Sequence, residues 1–447
     1  MERTRVLILG AAGRDFHDFN MVFRDDPNAF VVGFTATQIP GIEGRTYPSV
    51  LAGPLYPEGL PIFVESDLER LIRDKRVDEV VLSYSDLAYP TVMHLAARAL
   101  STGAGFRFLS PRKTMLRSTR PVVAVTAVRT GCGKSQAARY IARIARDGGL
   151  KVSVIRHPMP YGDLAAQRVQ RFASMADMDA ARVTIEERED YEPHVLAGSV
   201  VFAGVDYAAI LARAEAESDL VLWDGGNNDL PFVRPDLWIT VVDPHRPGHE
   251  TAYHPGESNF RAADIVLVNK ADSAKPEAIE ALRIATQTHN PGAKFVVAKS
   301  DITVDNPELV RGKRVLVIED GPTLTHGEMT FGAGVVAARR LGAAEVVDAH
   351  PYAVGKIAAL LKKYPHIQAA LPAVGYSKEE TDDLQETVRA VPCDSVLVAT
   401  PTDLSHVLQI SKPWTRARYE LADMTSPTLG DLVQQWLQTA VKSGERK

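Results

Sequence analysis

A short run of small and basic residues interrupts an apolar stretch in the first third of this 447-residue chain. Pro121 to Val128 predict a strand, and a helical pattern begins after Ser135. A turn of small residues between a strand and a helix points backbone N–H groups at phosphate oxygens, and the positive end of the helix faces the same point. The spacing predicts a nucleoside-triphosphate site whose nucleotide-binding residues are Thr130, Gly131, Cys132, Gly133, Lys134 and Ser135.

Three of these positions have expected chemical roles. Lys134 would reach the β- and γ-phosphates, and the Ser135 hydroxyl would bind Mg²⁺. Arg129, just before the loop, would stabilise the transition state or contact an acceptor phosphate, and an exposed loop arginine is the alternative. The pattern GxxxxGK[ST] has glycine where this chain has Val128, so the match is to a variant loop.

A carboxylate follows another apolar strand. Asp224 comes after four apolar residues and opens the segment Asp224 to Asp229, which reads DGGNND. A carboxylate at the end of a strand beside the phosphate loop holds Mg²⁺ through water in such enzymes. We therefore expect Lys134, Asp224 and Arg129 to be catalytic and Ser135 and Asp224 to hold the metal.

The tetrapeptide Asn269-Lys270-Ala271-Asp272 closes a further strand. In nucleotide hydrolases NKxD places a carboxylate against the guanine ring and a lysine stem along the base. Asn269 and Asp272 are therefore predicted to bind the base. Adenine remains equally open, because an asparagine amide also hydrogen-bonds adenine.

Arginine and histidine side chains cluster in loops that follow predicted strands. Open α/β sheets bind ligands at the carboxyl ends of their strands, so these side chains should converge there on a second polyanion. The candidate substrate-binding residues are Arg14, Arg107, Arg156, His157, Arg246 and His249. The alternatives are solvated surface residues, or a metal site formed by His245, His249 and His254.

An acidic stretch from Thr184 to Glu192 carries five carboxylates in nine residues. Such a composition is typical of a helix face in contact with water. We interpret it as a solvated helix face.

Short apolar runs alternate with helical patterns along the whole chain, which predicts an α/β fold with parallel sheets. Residues 1–119 form an expected Rossmann-like domain, whose GxxG turn lacks the full dinucleotide fingerprint. Residues 120–343 form an expected phosphate-loop nucleotide-binding domain with its own parallel sheet. Residues 344–447 form an expected C-terminal α/β extension.

Composition limits the class of partner. The net charge is −5 and no long block carries one sign, so nucleic acid and membrane partners are not expected. Two cysteines leave no disulfide framework and suit a reducing compartment. No secretory signal or membrane-spanning stretch is visible, so the expected location is cytoplasmic.

Seven strings along the chain resemble the cyclic 2,3-diphosphoglycerate synthetase family. They are GAAGRDFHDFN at 10–20, AVRTGCGKS at 127–135, RHPMPYGDL at 156–164, DGGNND at 224–229, VVDPHRPGHE at 241–250, NKAD at 269–272 and DGPTLTHGEMTFGAG at 320–334. The resemblance implies ATP- and Mg²⁺-dependent closure of 2,3-diphosphoglycerate into a cyclic phosphoanhydride, with release of ADP and phosphate. It also implies a cytoplasmic homodimer.

This activity accounts for the basic residues. Joining two phosphates on one small molecule brings dianions together, at a cost of about 4 kcal/mol at 4 Å in water. Fixed cations would offset that cost while ATP phosphorylates one phosphate and the other attacks it. The competing hypotheses are a GTPase switch or metallochaperone of the same superfamily, and another ligase on the same scaffold.

Overall fold

The computed structural model describes residues 2–11, 13–36, 44–157, 162–226, 228–374, 378–406 and 408–444. Within these ranges the chain folds into a smaller N-terminal sheet and a larger second sheet, with helices packed on their faces. The expected α/β fold class, a Rossmann-like parallel sheet followed by a phosphate-loop sheet with an α/β extension, is confirmed.

The described residues of the N-terminal part form seven strands and five α-helices. The strands are β1 (Thr4–Leu9), β2 (Ala29–Ala36), β3 (Thr46–Tyr47), β4 (Leu60–Val64), β5 (Glu79–Leu82), β6 (Leu87–Ala88) and β7 (Gly105–Arg107). The helices are α1 (Arg14–Asp18), α2 (Ser49–Ala52), α3 (Leu68–Lys75), α4 (Tyr89–Ser101) and α5 (Pro111–Thr114). A π-helical turn, Phe19–Phe23, continues α1.

The N-terminal sheet has the strand order β3-β4-β2-β1-β5-β7 and is parallel except for β3. Alternate residues of β1 pack into different cores, because side chains of a strand point to opposite faces. Val6 and Ile8 join the core on one face, and Leu7 and Leu9 join the core on the other. Helices therefore cover both faces of this sheet, and its carboxyl edge stays available for contacts.

The second sheet is built from the rest of the chain. Its strands are β8 (Val122–Ala127), β9 (Val152–Arg156), β10 (Gln170–Phe172), β11 (Val200–Ala203), β12 (Leu220–Asp224), β13 (Leu237–Val242), β15 (Ile265–Val268), β16 (Lys294–Val304), β17 (Arg314–Asp320), β18 (Glu345–Val346), β19 (Leu371–Ala373), β20 (Ser395–Ala399) and β21 (Trp414–Asp423). The short β14 (Tyr253–His254) pairs with β6 instead.

Eleven α-helices accompany these strands in the described part of the chain. They are α6 (Lys134–Asp147), α7 (Met175–Ala181), α8 (Ile185–Leu196), α9 (Tyr207–Glu217), α10 (Gly256–Ala262), α11 (Pro276–His289), α12 (Gly321–Leu324), α13 (Ala333–Arg340), α14 (Gly355–Lys363), α15 (Lys378–Ala390) and α16 (Leu429–Gly444).

Two parallel blocks make up the second sheet. The first runs β11-β9-β12-β8-β13-β15-β16, and the second runs β21-β20-β17-β18 with β19 also on β17. A long antiparallel pair joins them, in which Ala298 to Val304 of β16 face Ala417 to Asp423 of β21. Strand β17, expected in the phosphate-loop domain, thus pairs with strands of the C-terminal region. The division at residues 119 and 343 stays a prediction.

The N-terminal sheet contacts the second sheet through buried aromatic rings. His17 of α1 stacks on Phe232 at 4.2 Å between ring centroids, and Phe232 also packs against Tyr207 and Trp223 at 4.6 and 4.7 Å. Burial lowers the pKa of His17 to about 3, so the ring is neutral. This contact fixes the two sheets relative to each other. No described helix is long and apolar enough to cross a membrane.

We expect Phe232→Ala to lower the free energy of unfolding by about 3–5 kcal/mol, because it removes a fully buried ring shared by both parts of the chain. Urea denaturation followed by circular dichroism measures the change. Phe108, half-exposed, provides the control Phe108→Ala. Equal effects of the two substitutions would contradict the proposed packing role.

Candidate functional site

The phosphate loop joins β8 to α6, the strand and the helix that the sequence predicts on its two sides. Gly131 and Gly133 adopt φ of +83° and +98°, where a side chain is strained. A Cβ on Gly133 would lie 2.1 Å from Nδ2 of Asn269. Gly133 caps α6 and no side chain bonds the first turn, so the N–H groups there face outward for an anion.

Lys134 and Asp224 form the charged centre of the site. Lys134 lines the cavity at the loop, and its Nζ contacts Oδ1 of Asp224 at 2.5 Å. Burial raises the pKa of Asp224, but Arg156 and Lys134 outweigh burial and hold it well below its usual value. Burial lowers the pKa of Lys134. The Lys134 ammonium group therefore faces the cavity, and the ionised Asp224 carboxylate lies behind it.

Asp224 has two further partners. Oδ2 of Asp224 lies 2.7 Å from Nη1 of Arg156 and 2.9 Å from Nε2 of His194. Asp224 has no exposed surface and does not line the cavity, whereas Ser135 does. Of the two expected metal-binding residues, only the serine therefore faces the ligand space directly.

The acidic stretch before His194 is not the solvated helix face that we expected. Helix α8 buries Glu187, Glu189 and Glu192, which are 3%, 7% and 2% exposed. Asp190 forms an ion pair with Arg156 and lines the cavity. The prediction was wrong because Asp190 and Glu192 face partners from distant segments, Arg156 of β9 and Thr402, while Glu187 caps the start of α8 through Thr184.

The N-terminal sheet contributes a carboxylate that sequence analysis missed. Asp86, after β5, accepts hydrogen bonds on Oδ2 from the backbone N–H and hydroxyl of Thr130 at 3.1 and 2.7 Å. Asn228 donates to the same oxygen at 3.2 Å. Oδ1 of Asp86 lies 2.7 Å from Nε of Arg129. Asp86 therefore joins the phosphate loop, the loop after β12 and the N-terminal sheet.

Arg129 is 2% exposed and fully engaged by the protein. It contacts Asp86, Glu328 and the Nδ1 atom of His249, and its guanidinium lies 3.7 Å from the centroid of the Tyr253 ring. His249 therefore supports Arg129 and does not line the cavity.

Arg246 lies behind the phosphate loop. It donates to the carbonyl of Thr130 at 2.8 Å and pairs with Asp243 at 2.9 Å. Lys270 donates to the carbonyl of Gly131 and faces the same aspartate at 3.5 Å. These two cations hold the shape of the loop, and Lys270 also lines the cavity.

The NKAD tetrapeptide sits against the phosphate loop. Asn269 is fully buried and donates to Cys132 O at 3.4 Å and to Gln136 Oε1 at 3.2 Å. Asp272 lines the cavity and pairs with Arg340 at 2.7 Å. Asn269 thus supports the loop from behind, whereas Asp272 faces the ligand space. Cys132 is buried within the loop.

Two of the predicted substrate-binding arginines lie elsewhere. Arg107, at the end of β7, pairs with Glu79 at 3.0 Å and is 42% exposed, so its expected convergence on the site is wrong. Strand β7 is the edge strand of its sheet, which explains the distance. Arg14 donates to the carbonyl of Leu230 at 3.1 Å and faces Asp18 at 3.7 Å. It supports the contact between the sheets and does not line the cavity.

The three histidines of the alternative metal site have separate partners. His245 faces the Ser273 hydroxyl at 2.9 Å, His249 faces Arg129, and His254 packs against Phe108. Among the described residues, no group of three or more His, Cys, Asp or Glu is arranged to hold a metal ion. Pro158 to Tyr161 and Asn227, which belong to the motif strings, lie outside the described residues.

A cavity of about 490 Å³ lies over the phosphate loop. The C-terminal block closes it with the loop after β17, including Thr323, His326 and Phe331. Seven carboxylates and six Lys or Arg side chains line it. They are Asp86, Glu189, Asp190, Asp272, Glu319, Asp320 and Glu328, and Arg129, Lys134, Arg139, Arg156, Lys270 and Arg340. The cavity is therefore rich in charge of both signs.

Glu319 is one of the carboxylates that line the cavity, and its burial can be tested through the pH dependence of stability. Its Oε1 accepts from the backbone N–H groups of Gly332 and Val335, and burial raises its pKa to about 7. A raised carboxylate pKa makes the folded state lose stability as pH rises from the unfolded to the folded value. Glu319→Gln should match wild type near pH 4.5 and exceed it by up to about 3 kcal/mol near pH 8.

Urea denaturation across this pH range measures the difference in the free energy of unfolding. The exposed Glu58→Gln serves as the control. A difference in the free energy of unfolding that does not change with pH would contradict the raised pKa of Glu319.

Comparison with solved structures finds weak overall similarity. The "apo" form of LpxK from Aquifex aeolicus in complex with ATP aligns at 13% identity and a TM-score of 0.41, over 72% of this chain and 90% of that one. Cobyrinic acid a,c-diamide synthase from Mycobacterium smegmatis, with an ATP analogue and magnesium, aligns at 19% identity and a TM-score of 0.18, over 40% and 72%. No family model matches the sequence.

Curated proteins give a much stronger match. Arginine synthetase ArcE from Thermococcus kodakarensis is 56% identical over 441 residues, which cover 99% of this chain and 98% of that protein. Tetraacyldisaccharide 4'-kinase from Anaeromyxobacter dehalogenans is 30% identical over 275 residues, covering 55% and 68%. The expectation of an ATP-dependent ligase is confirmed. The chain belongs to the family of arginine synthetase ArcE.

Proposed function

We propose that this protein synthesises arginine from citrulline and ammonium at the expense of ATP. The full-length relationship to a protein named arginine synthetase supports the product. Arginine differs from citrulline only by a nitrogen in place of the ureido oxygen. A ligase that makes arginine in one step therefore has to activate that oxygen as a leaving group.

The proposed reaction has two balanced steps. The ureido oxygen attacks the γ-phosphorus of ATP, the bond from that phosphorus to the bridging oxygen breaks, and ADP leaves. Ammonia then adds to the ureido carbon, the carbon–oxygen bond breaks, and phosphate leaves with one proton from the added nitrogen. Arginine leaves as the guanidinium cation, and the proton lost when ammonium became ammonia is released.

The phosphate loop supports the first step. In this proposal the backbone from Thr130 to Ser135 binds the β- and γ-phosphates, and Lys134 stabilises the charge that develops between them. Ser135, with Asp224 acting through water, is the proposed holder of Mg²⁺. The ion would neutralise phosphate charge and align the nucleotide. Asp272, at the cavity wall, is the proposed contact for the adenine base.

The ion pairs of the buried arginines are the structural argument for an amino acid as substrate instead of a bisphosphate. Each of four arginines already faces a carboxylate: Arg14 with Asp18, Arg129 with Asp86, Arg156 with Asp224, and Arg246 with Asp243. A bisphosphate would add about 3 to 4 negative charges to this set. An amino acid with no net charge suits a cavity with seven carboxylates and six cations better.

The cyclic 2,3-diphosphoglycerate synthetase activity is the second candidate, because seven sequence strings favour it. It requires cations that are not already neutralised by the protein. The homodimer and the cytoplasmic location implied by that resemblance stay predictions.

The positions of the two cysteines help to distinguish glutamine from ammonium as the nitrogen donor. Release of ammonia from glutamine commonly uses a thiolate nucleophile. Burial raises the pKa of Cys132 to about 11, so it is not a thiolate at neutral pH. Cys393 packs against the C-terminal core and does not line the cavity. These positions favour ammonium itself as the donor.

The test is incubation of the protein with MgATP, citrulline and ammonium. We expect arginine and ADP in equal amounts, measured by amino-acid chromatography and nucleotide chromatography. Parallel reactions replace citrulline and ammonium by 2,3-diphosphoglycerate, or by ornithine and urea. Formation of a cyclic phosphoanhydride without arginine, detected by phosphorus NMR, would reject the proposal in favour of the second candidate.

We expect Lys134→Ala to lower kcat for arginine formation by about 10²- to 10³-fold, because the ammonium group stabilises charge formed during phosphoryl transfer. Asp224 keeps Arg156 and His194 as partners, so the fold should persist. Lys151→Ala, at an exposed lysine, is the control. Initial-rate kinetics with circular dichroism measure both, and an unchanged kcat would contradict the role.

A further inference from the structure

A buried histidine and aspartate lie beside the phosphate loop where the two sheets meet. His157 follows β9 directly and lines the cavity, and its Nε2 is 3.3 Å from Oδ2 of Asp229. Their side chains are 6% and 1% exposed. Imidazole next to a carboxylate is a proton-accepting arrangement, since the carboxylate stabilises the imidazolium.

Two glycines make room for the imidazole ring. A Cβ on Gly13 would lie 2.1 Å from Nε2 of His157, and a Cβ on Gly226 would lie 2.8 Å from its Cβ. Gly13 belongs to the N-terminal turn after β1, and Gly226 follows β12. Both parts of the chain therefore hold His157 in place, and the space at the GxxG turn is filled by this ring.

Asp229 is surrounded by groups from several elements. Burial raises its pKa to about 7, and Arg14 and a hydrogen bond from Ser85 act in the opposite direction. The other titratable groups that face it are His157, Asp15, Asp18 and Tyr207. A carboxyl of this kind exchanges a proton near neutral pH, whereas Asp224, held ionised by Arg156 and Lys134, does not.

This inference rests on the proposed function, in which no residue has yet been assigned to accept the proton that ammonium loses. At neutral pH the nitrogen donor is ammonium, which has no lone pair and does not attack carbon. It must lose a proton at the site before it adds to the phosphorylated ureido carbon. The cavity therefore needs a base close to Lys134 that is not occupied by phosphate.

We propose that His157 and Asp229 form the base that deprotonates ammonium and so generate the nucleophile. One N–H bond of ammonium breaks, its proton goes to the His157 imidazole, and Asp229 stabilises the imidazolium or takes the proton on Oδ2. The lone pair that remains on ammonia forms the new bond to carbon. Release of the proton to solvent after phosphate leaves restores the pair.

The test separates the two steps of the reaction in Asp229→Asn and His157→Gln. Citrulline-dependent positional isotope exchange in ¹⁸O-labelled ATP reports phosphoryl transfer without ammonium. Arginine formation at increasing total ammonium reports the second step. The control is Glu65→Gln, which replaces a buried carboxylate of the N-terminal sheet that accepts from Thr35.

We expect both variants to keep the isotope exchange and to lose about 10²- to 10⁴-fold in kcat/KM for ammonium near pH 7. In the variants, kcat/KM for ammonium should rise about tenfold per pH unit, because the variants depend on free ammonia from solution. Wild type and Glu65→Gln should instead show a plateau above about pH 7, since their base supplies the ammonia.

Three results would overturn the assignment. The first is a kcat/KM for ammonium in the variants that equals that of wild type. The second is a loss of isotope exchange in parallel with the loss of arginine formation. The third is a wild-type kcat/KM for ammonium that rises with the concentration of free ammonia, as expected for the variants. Absence of both citrulline-dependent exchange and arginine in wild type would instead overturn the proposed function, so the two failures are distinguishable.

Discussion

The arrangement around the phosphate loop depends on one buried carboxylate shared by three cationic or basic side chains. Asp224 ends strand β12, which lies between β9 and β8, and meets Lys134, Arg156 and His194. A buried ionised carboxylate is costly unless it is paired, and removing one partner of such a pair costs about 3–5 kcal/mol. Phosphate oxygens that reach the cavity compete with Asp224 for the Lys134 ammonium group. In the proposed function, Lys134 would therefore exchange Asp224 for a phosphate when a nucleotide binds, while Asp224 keeps Arg156 and His194 as partners.

The same pairing extends outward and limits what the cavity can accept. Arg156 also meets Asp190, and Arg129 lies between Asp86 and Glu328. Each guanidinium is rigid and always charged, so its positive charge is matched by the carboxylate that it contacts. The result is a set of fixed charges of alternating sign, which suits the substrate of the proposed function, a ligand carrying both an ammonium and a carboxylate group.

Much of the fold is readable from the sequence, because apolar runs that end in polar residues mark buried parallel strands. β8 lies within the apolar run from Pro121 to Val128, and β12 ends at Asp224, as expected. Strand order is not readable, so the edge position of β7 and the outward displacement of Arg107 were missed. The buried face of α8 was missed as well, because Asp190 and Glu192 acquire Arg156 and Thr402 as partners only when distant segments meet. Tyr191 and Val195, one helical turn apart, were the available signal.

Because of Asp86, the phosphate loop of this enzyme depends on the N-terminal part of the chain. Thr130, in the proposed nucleotide site, donates its backbone and side-chain hydrogen bonds to Asp86, which lies more than forty positions earlier, in the turn after β5 of the N-terminal sheet. A fragment that starts at β8 would keep every residue of the phosphate-loop motif and lose the acceptor that orients Thr130. The nucleotide site is thus a joint product of two sheets, and it cannot be transplanted as a self-contained module.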